Sequence, residues 1–285
     1  MEQLTKNVFV KTGTRGCNPG GVITSEGLVL IDVPGDPAYV DDYIAEISKW
    51  GKVRYIINTE YHFDHNMTNG WFEAPVIASE ITRDLIPTNS DRWMKYATKT
   101  LYRDPFTVPP PEKYRKGLPS ITFSERMTIN LGEHTFRIML LPGHTAGQTA
   151  VYVPEEKMLF ASDNVSTMGG ASLHDALPDK WMESLEFMKR LDVRYIATGH
   201  GNLVTDKVTF YLDQQISSIR ERFESVKKFK AEGLRLREAV EKYEEMFPEA
   251  TQAPASEGFT ARGGPGAGLF PLLHLYQVIG GNTGF

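Results

Sequence analysis

The chain has 285 residues, of which 41% are hydrophobic and 24% charged, a composition typical of an ordinary globular protein with a sizeable core. Its formal net charge of −5 argues against a nucleic-acid-binding protein, because such proteins usually carry a basic face. The single cysteine, Cys17, excludes an internal disulfide.

The sequence also bears on location. Residues 1–6 show no basic stretch followed by an apolar run, so we expect no signal peptide. No apolar segment approaches the roughly 20 residues that a helix needs to cross a bilayer. With one cysteine besides, these features favour a cytoplasmic protein that has no membrane partner.

Apolar runs separated by turn residues predict two strand-rich blocks. The runs 21–24 and 28–32 flank Ser25-Glu26-Gly27, which is a hairpin signal. The predicted strands are, in chain order, 8–10, 21–24, 28–32, 53–58, 127–131, 135–141, 149–153, 157–161 and 195–198. Two such blocks, each with a helix, predict an α+β fold in which two sheets pack face to face with helices outside.

The first helix is predicted to open at Asp36-Pro37, since proline suits the first turn of a helix. Val40, Ile44 and Ile47 follow at helical spacing and would form its buried face. A second helix is predicted over 181–191.

Two segments lie outside this plan. Residues 81–125, with a predicted helix from Asp91 to Tyr102, read as an insertion or lid over a domain that spans 1–205. Residues 206–285 read as long helices broken at Gly233, then a Gly- and Pro-rich stretch and an apolar tail. We expect these helices and the tail to pack on the same domain or on a partner subunit, which would make a homo-oligomer.

Four potential metal ligands stand within six residues directly after the strand 53–58: Glu60, His62, Asp64 and His65. Loops that leave strands are places where functional side chains converge. On an extended loop, a spacing of two would put Glu60, His62 and Asp64 on one side and turn His65 to the other. Such a cluster can serve two adjacent metals.

Three further candidates, His144, Asp163 and His200, each follow another apolar strand and stand beside small residues. A lone histidine or aspartate in a loop is more often structural than a ligand. Four strand ends that each present a metal-type ligand are a different pattern, and together they predict a metal site.

The order of Asp32, the Glu60–His65 cluster, His144, Asp163 and His200 resembles the five motifs of the metallo-β-lactamase superfamily. Pro142-Gly143-His144-Thr145 is similar to the segment found in its glyoxalase- and lactonase-type members. The resemblance covers about residues 5–205 and implies a four-layer αβ/βα sandwich with a helical insertion and a C-terminal helical extension. The usual H-x-H-x-D-H motif reads E-x-H-x-D-H here, so Glu60 replaces its first histidine.

By position, the resemblance implies that Glu60, His62 and His144 bind one metal, that Asp64, His65 and His200 bind a second, and that Asp163 bridges them. Asp32 would support the site without binding metal. Zinc is the expected metal at both positions. Glu60 adds a negative charge and a hard oxygen ligand, which leaves manganese or iron as alternatives. It also leaves open that Glu60 points away and that the first metal is weak or absent.

The implied activity is that of a binuclear metallo-hydrolase, in which a metal-bound hydroxide attacks a small organic substrate such as an ester, lactone, amide, β-lactam or activated aromatic compound. Asp64 would orient that hydroxide and take its proton. Candidate substrate contacts are His174, Tyr61 and Trp93. Two alternatives remain, namely an iron-dependent, dioxygenase-like redox enzyme on the same fold and a binding protein with a degenerate site.

Overall fold

The computed structural model describes residues 1–14, 16–88, 117–168, 170–248 and 269–280. Within these residues the strands form two sheets. The first contains, in order across the sheet, β1 (Glu2–Gln3), β2 (Val8–Val10), β3 (Gly20–Thr24), β4 (Gly27–Ile31), β5 (Val53–Ile57), β6 (Val76–Ser79) and β7 (Ile121–Phe123). The second contains, in order, β12 (Tyr195–Thr198), β11 (Met158–Ser162), β10 (Thr149–Val153), β9 (His134–Leu140) and β8 (Arg126–Leu131).

Helices connect and cover the sheets. They are α1 (Val40–Ser48), α2 (Phe63–Asn66), α3 (80–88), α4 (Pro178–Met188), α5 (Val208–Ala231), α6 (Leu236–Met246) and α7 (Leu269–Ile279). Among the described residues, no helix has both the length and the apolar character needed to cross a bilayer.

Alternation along β4 shows how the layers form. Leu28 and Leu30 pack on α1 at the outer face of the first sheet, whereas Val29 and Ile31 face the second sheet. Successive side chains of a strand point to opposite faces, so one apolar run serves two cores. The outer face of the second sheet packs against α4, α5, α6 and α7. The layers therefore run helix, sheet, sheet, helix, which confirms the predicted α+β sandwich.

Strand direction brings the ends of several strands to one edge. In the first sheet β4, β5, β6 and β7 are parallel. In the second, β11 is parallel to β12, and β9 shares their direction because both β9 and β11 run antiparallel to β10. The loops that follow β4, β5, β9, β11 and β12 carry every predicted ligand and Asp32.

Two details of the predicted elements were wrong. The buried face of α1 consists of Val40, Tyr43 and Ile47, while Ile44 is only half-buried. The Tyr43 ring lies in the core beside the first sheet and meets Phe72 edge-on. The helix predicted over 181–191 begins at Pro178, since proline is favoured in a first turn.

The segment 81–125 is described at its two ends. Residues up to 88 belong to α3, and residues 121–123 form β7, which pairs with β6 at the edge of the first sheet. The helix predicted from Asp91 to Tyr102 lies outside the described residues. In the C-terminal segment, Leu272 and Leu275 of α7 are fully buried in the core that α4, α5 and α6 share.

One polar network ties the first turn of the chain to the second sheet. Glu156 accepts hydrogen bonds from Thr5 Oγ1 at 2.6 Å, from Asn7 Nδ2 at 2.7 Å and from the His134 ring at 2.8 Å. Burial would raise the pKa of Glu156, but these three hydrogen bonds outweigh burial and lower it. The ionised carboxylate therefore stabilises the contact between residues 5–7 and the second sheet.

Candidate metal centre

The structure brings all seven predicted ligands together at the common strand edge. Six of them are at most 6% exposed, and the side chain of His200 is 19% exposed. They are Glu60, His62, Asp64, His65, His144, Asp163 and His200. Buried carboxylates and imidazoles in such number need mutual compensation or a bound cation.

The local fold of the 58–66 segment differs from the expected extended loop. The chain is extended at His62 and then turns into α2, where the His65 amide donates to the His62 carbonyl at 3.0 Å. Asn66 closes the turn by donating from Nδ2 to the same carbonyl at 2.7 Å. Because of this turn, His65 does not point away from Glu60, and its Nε2 lies 3.6 Å from Glu60 Oε1.

Two strand ends adopt left-handed backbone conformations beside the site. Asp32 has φ 56° and Ser162 has φ 50°. Non-glycine residues adopt such values at a cost and concentrate at functional sites. The turn at Asp32 directs its carboxylate to the Thr59 amide at 2.8 Å and to His65 Nδ1 at 2.9 Å. The turn at Ser162 directs the next residue, Asp163, into the cluster.

We call Glu60, His62 and His144 the metal-one group. Glu60 Oε2 lies 2.7 Å from His62 Nδ1, and His144 Nε2 lies 3.3 Å from the same nitrogen. Asp163 Oδ2 lies 3.3 Å from His144 Nε2. These three side chains and one oxygen of Asp163 therefore form a row of neighbouring donors, each at most 3.3 Å from the next.

We call Asp64, His65 and His200 the metal-two group. His200 Nε2 lies 3.3 Å from Asp64 Oδ2 and also 3.3 Å from Asp163 Oδ1. His65 Nε2 lies 3.5 Å from the same Asp163 oxygen. Asp163 thus presents one carboxylate oxygen to each group, which is the arrangement of a bridging ligand.

An acceptor outside the cluster orients each of three histidines. His65 Nδ1 donates to Asp32, His144 Nδ1 donates to the Ser172 carbonyl at 3.0 Å, and His62 Nε2 donates to Asp175 Oδ2 at 3.1 Å. When such a ring is neutral, its outward nitrogen carries the proton and the other nitrogen carries the lone pair that faces the cluster. Sequence reasoning missed Asp175, whose one signal was its place beside His174 in the loop after Asp163.

Two glycines are required by close approach. A Cβ on Gly199 would overlap the Asp163 carboxylate, and a Cβ on Gly143 would overlap the Asn164 side chain, whose Oδ1 accepts from the His144 amide at 2.9 Å. The small residues beside the ligands therefore allow neighbouring strand ends to touch.

The electrostatics of the cluster favour bound positive charge. Burial would raise the pKa of Glu60, but the charges of His62, His144 and His65 outweigh it and lower the pKa. Burial would lower the pKa of His62, yet Glu60 and the hydrogen bond to Asp175 raise it to about 10. Asp163 and Asp64, each 3.3 Å from His200 Nε2, likewise raise the pKa of His200 to about 9 against the effect of burial. The histidines take protons because the carboxylates hold negative charge in a buried place, and a metal cation can supply the same compensation.

The orphaned atoms of the site fit a metal. Five buried side-chain atoms here lack a hydrogen-bond partner within the described part of the chain: Glu60 Oε1 and Oε2, His65 Nε2, Asp163 Oδ1 and His200 Nε2. All five face the cluster, and each is an oxygen or nitrogen of a kind that binds zinc, manganese or iron. Cys17 is close to His65 and Asp32, but burial raises the pKa of its thiol to about 12, and its Sγ donates to the Val33 carbonyl at 3.4 Å.

The candidate substrate contacts are placed differently from one another. His174 stacks on His62 with ring centroids 4.9 Å apart and meets the Ser172 hydroxyl through Nδ1 at 2.9 Å. Tyr61 is only 5% exposed and packs edge-on against His62. Trp93 lies outside the described residues. Asp175, with a side chain 28% exposed, and His200 mark the accessible sides of the cluster in the part that is described.

Comparison with known proteins agrees with this architecture. The model of the metallo-beta-lactamase superfamily matches residues 13–200, and the chain belongs to that family, as the motifs predicted. A metallo-beta-lactamase type 2 of Pseudomonas aeruginosa is 25% identical over 201 residues, which cover 66% of this chain and 71% of that protein. A hydroxyacylglutathione hydrolase of Bartonella quintana (strain Toulouse) is 26% identical over 130 residues, which cover 45% of this chain.

The chain spans about half the length of that hydroxyacylglutathione hydrolase, 51%. Among solved structures, a metallo-beta-lactamase family protein from Thermus thermophilus superposes with a TM-score of 0.66 and 18% identity, covering 98% of this chain and 95% of that one. This likeness shows the fold. The candidate ligand groups fit a protein that binds metal.

Proposed function

We propose that the protein is a metal-dependent hydrolase that holds two divalent metal ions and acts on a small organic substrate with an acyl group. The observation that carries the proposal is the Asp163 carboxylate, which lies between two groups of buried donors and offers one oxygen to each. Bound divalent ions would polarise a substrate carbonyl and make water more acidic. Glu60, His62 and His144 would hold one ion, and Asp64, His65 and His200 the other.

The residues of the chain have distinct roles in this proposal. Asp64 holds the proton that leaves the attacking water, because it is a buried carboxylate at the more accessible side of the cluster, 3.3 Å from His200. Burial opposes its ionisation, but His65 and His200 outweigh burial and hold the pKa of Asp64 below its usual range, so the carboxylate is ionised near neutral pH and, as a weak base, would hold the proton only in passing. Asp32 and Asp175 orient histidines and do not touch the substrate.

The substrate class follows from the chemistry that the relatives share. Hydroxyacylglutathione hydrolase and metallo-beta-lactamase are both named for an acyl compound, a hydroxyacyl glutathione in one case and a β-lactam in the other. His174 is the side chain that we assign to substrate contact, because it lies on the face of His62 and is part-exposed. An ester, thioester, lactone or β-lactam is therefore the expected substrate.

The proposal is tested with purified, metal-replete protein against a panel of those four acyl classes, with His200→Ala and Asp64→Asn as variants. We expect turnover of at least one class, inhibition by a chelator, recovery on adding metal, and loss of at least roughly 10³-fold in kcat in both variants. Glu183→Gln, an exposed residue of α4, is the matched control and should keep full activity. Turnover that persists in His200→Ala and Asp64→Asn would contradict the proposal.

Iron content with oxygen uptake, in place of hydrolysis, would instead favour the dioxygenase-like alternative. That result would place the same ligands in a redox reaction and would also contradict the hydrolase proposal. The carboxylate-rich ligand set makes this comparison worthwhile, because hard oxygen ligands suit iron and manganese better than an all-histidine group does.

A further inference from the structure

The unusual ligand Glu60 faces both metal groups at once. Its Oε2 lies 2.7 Å from His62 Nδ1 in the metal-one group. Its Oε1 lies 3.6 Å from His65 Nε2 in the metal-two group. Glu60 therefore sits between the groups, as Asp163 does, and not within the metal-one group alone.

The distance from Glu60 Oε1 to the metal-two group can be compared with that between donors that share one ion, and it is shorter than the 3.9 Å from the same oxygen to His144 Nε2 in the metal-one group. Two donor atoms that are each about 2.1 Å from the same ion stand about 3.0–3.5 Å apart, depending on the coordination angle. Asp163 meets this condition on both sides, at 3.3 Å from His144 and 3.3 Å from His200. Glu60 Oε1, at 3.6 Å from His65 Nε2, is within about 0.1 Å of the upper end of that range.

Burial strengthens the case for two bonds. Glu60 is fully buried; its Oε2 lies 2.7 Å from His62 Nδ1, whereas its Oε1 has no hydrogen-bond partner in the described structure. If Glu60 bound only the first metal through Oε2, its second oxygen would remain buried and unsatisfied, which costs about 1–3 kcal/mol or more for a charged group. An ion at the metal-two group would satisfy that oxygen.

We propose that Glu60 is a second bridging carboxylate, which links the two metals alongside Asp163; this rests on the proposed metal dependence. A histidine at this position offers a single nitrogen to the cluster and cannot bridge, whereas a carboxylate offers two oxygens. The metal-two group then gains a fifth donor, Glu60 Oε1, beside Asp64, His65, His200 and Asp163. The added oxygen makes the second metal position, and not only the first, better suited to manganese or iron.

A double variant distinguishes a bridging Glu60 from a Glu60 that binds metal one alone. In a His144→Ala background the metal-one group has lost a ligand, so the tighter remaining site is metal two. Adding Glu60→Gln to that background removes one of the two carboxylate oxygens and the charge. If Glu60 bridges, the affinity of metal two for Co²⁺ falls at least tenfold. If Glu60 serves metal one alone, the affinity is unchanged.

The measurement is a Co²⁺ titration of chelator-treated full-length protein, with affinity from a competing indicator and ligand-field absorption as a second readout. Glu183→Gln in the same His144→Ala background is the matched control, because this exposed residue of α4 lies outside the cluster and should not alter metal two. Melting curves check that each variant is folded. Glu60→His in the otherwise unchanged protein provides a second route, since it should keep the first metal and weaken the second.

Two outcomes overturn the inference in different ways. Wild-type protein that binds no Co²⁺ would contradict both the proposed metal-dependent function and the proposed bridging role of Glu60. Wild-type protein that binds two Co²⁺, with no effect of Glu60→Gln on metal two and no weakening of the second metal in Glu60→His, would refute the bridge and leave the metal-dependent function standing.

Discussion

Asp175 offers a direct test of how the chain fixes the tautomer of a ligand histidine. His62 Nε2 donates to Asp175 Oδ2 at 3.1 Å, which leaves Nδ1 to face Glu60 and His144. Removing the acceptor by Asp175→Ala frees the ring to rotate and to change tautomer. We therefore expect Asp175→Ala to weaken metal one, although Asp175 does not bind it.

The size of the expected loss in metal affinity follows from the hydrogen bond between His62 and Asp175. A hydrogen bond to a charged group contributes about 1.5–3 kcal/mol, and the side chain of Asp175 is 28% exposed, which places the effect near the lower end. Loss of such an outer partner of a metal-binding histidine typically lowers metal affinity by about 10–100-fold. Tenfold corresponds to about 1.4 kcal/mol. We expect about a tenfold loss in Asp175→Ala and a smaller loss in Asp175→Asn, whose amide oxygen still accepts a hydrogen bond.

The assay is a Co²⁺ titration in a His200→Ala background, where metal one is the tighter site. Asp179→Asn, an exposed aspartate in the first turn of α4, is the matched control and should leave the affinity unchanged. If Asp175 had only a structural role, Asp175→Ala would lower the melting temperature without a specific loss of affinity at metal one. Equal affinity in Asp175→Ala and the parent protein would refute the reasoning.

Three further predictions concern the surroundings of the site. Glu156→Gln should lower the free energy of unfolding by about 1–2 kcal/mol near neutral pH, as measured by denaturation curves. Because the pKa of Glu156 is lowered in the folded state, the difference in unfolding free energy between variant and wild type should shrink as the pH falls below the ordinary glutamate range. His274→Ala should loosen the 172–176 loop, because the His274 ring donates a hydrogen bond to the Ala176 carbonyl at 2.7 Å. We expect faster amide hydrogen exchange in that loop, and unchanged exchange would contradict this prediction. Gly199→Ala should displace Asp163, lower the free energy of unfolding by about 1–3 kcal/mol and remove metal from both groups. A variant that still binds two metals per chain would contradict this prediction.

The convergence of the seven candidate ligands was predictable because their signal is local. Each one follows an apolar run, and the carboxyl ends of parallel strands meet at one edge, so separated strand ends such as those before His144 and His200 had to converge. The sandwich was predictable for a similar reason, since the in-and-out alternation of β4 leaves apolar side chains on both faces.

Other features depend on tertiary contacts that no short pattern encodes. The turn at α2 that brings His65 back towards Glu60 is held by side-chain bonds of Asn66, and the sequence alone suggested an extended loop. Asp175 reaches His62 only because the loop after Asp163 folds back over the site. β7 has three residues and becomes a strand by pairing with β6 across a long sequence separation.

The most direct test of the central claim is the metal content of full-length protein purified without added metal or chelator, measured per chain by mass spectrometry. Two buried donor groups joined by a bridging Asp163 predict about two divalent ions per chain, and about one per chain in His200→Ala. Protein that carries no metal and takes up none on reconstitution would contradict the claim that this cluster is a metal centre.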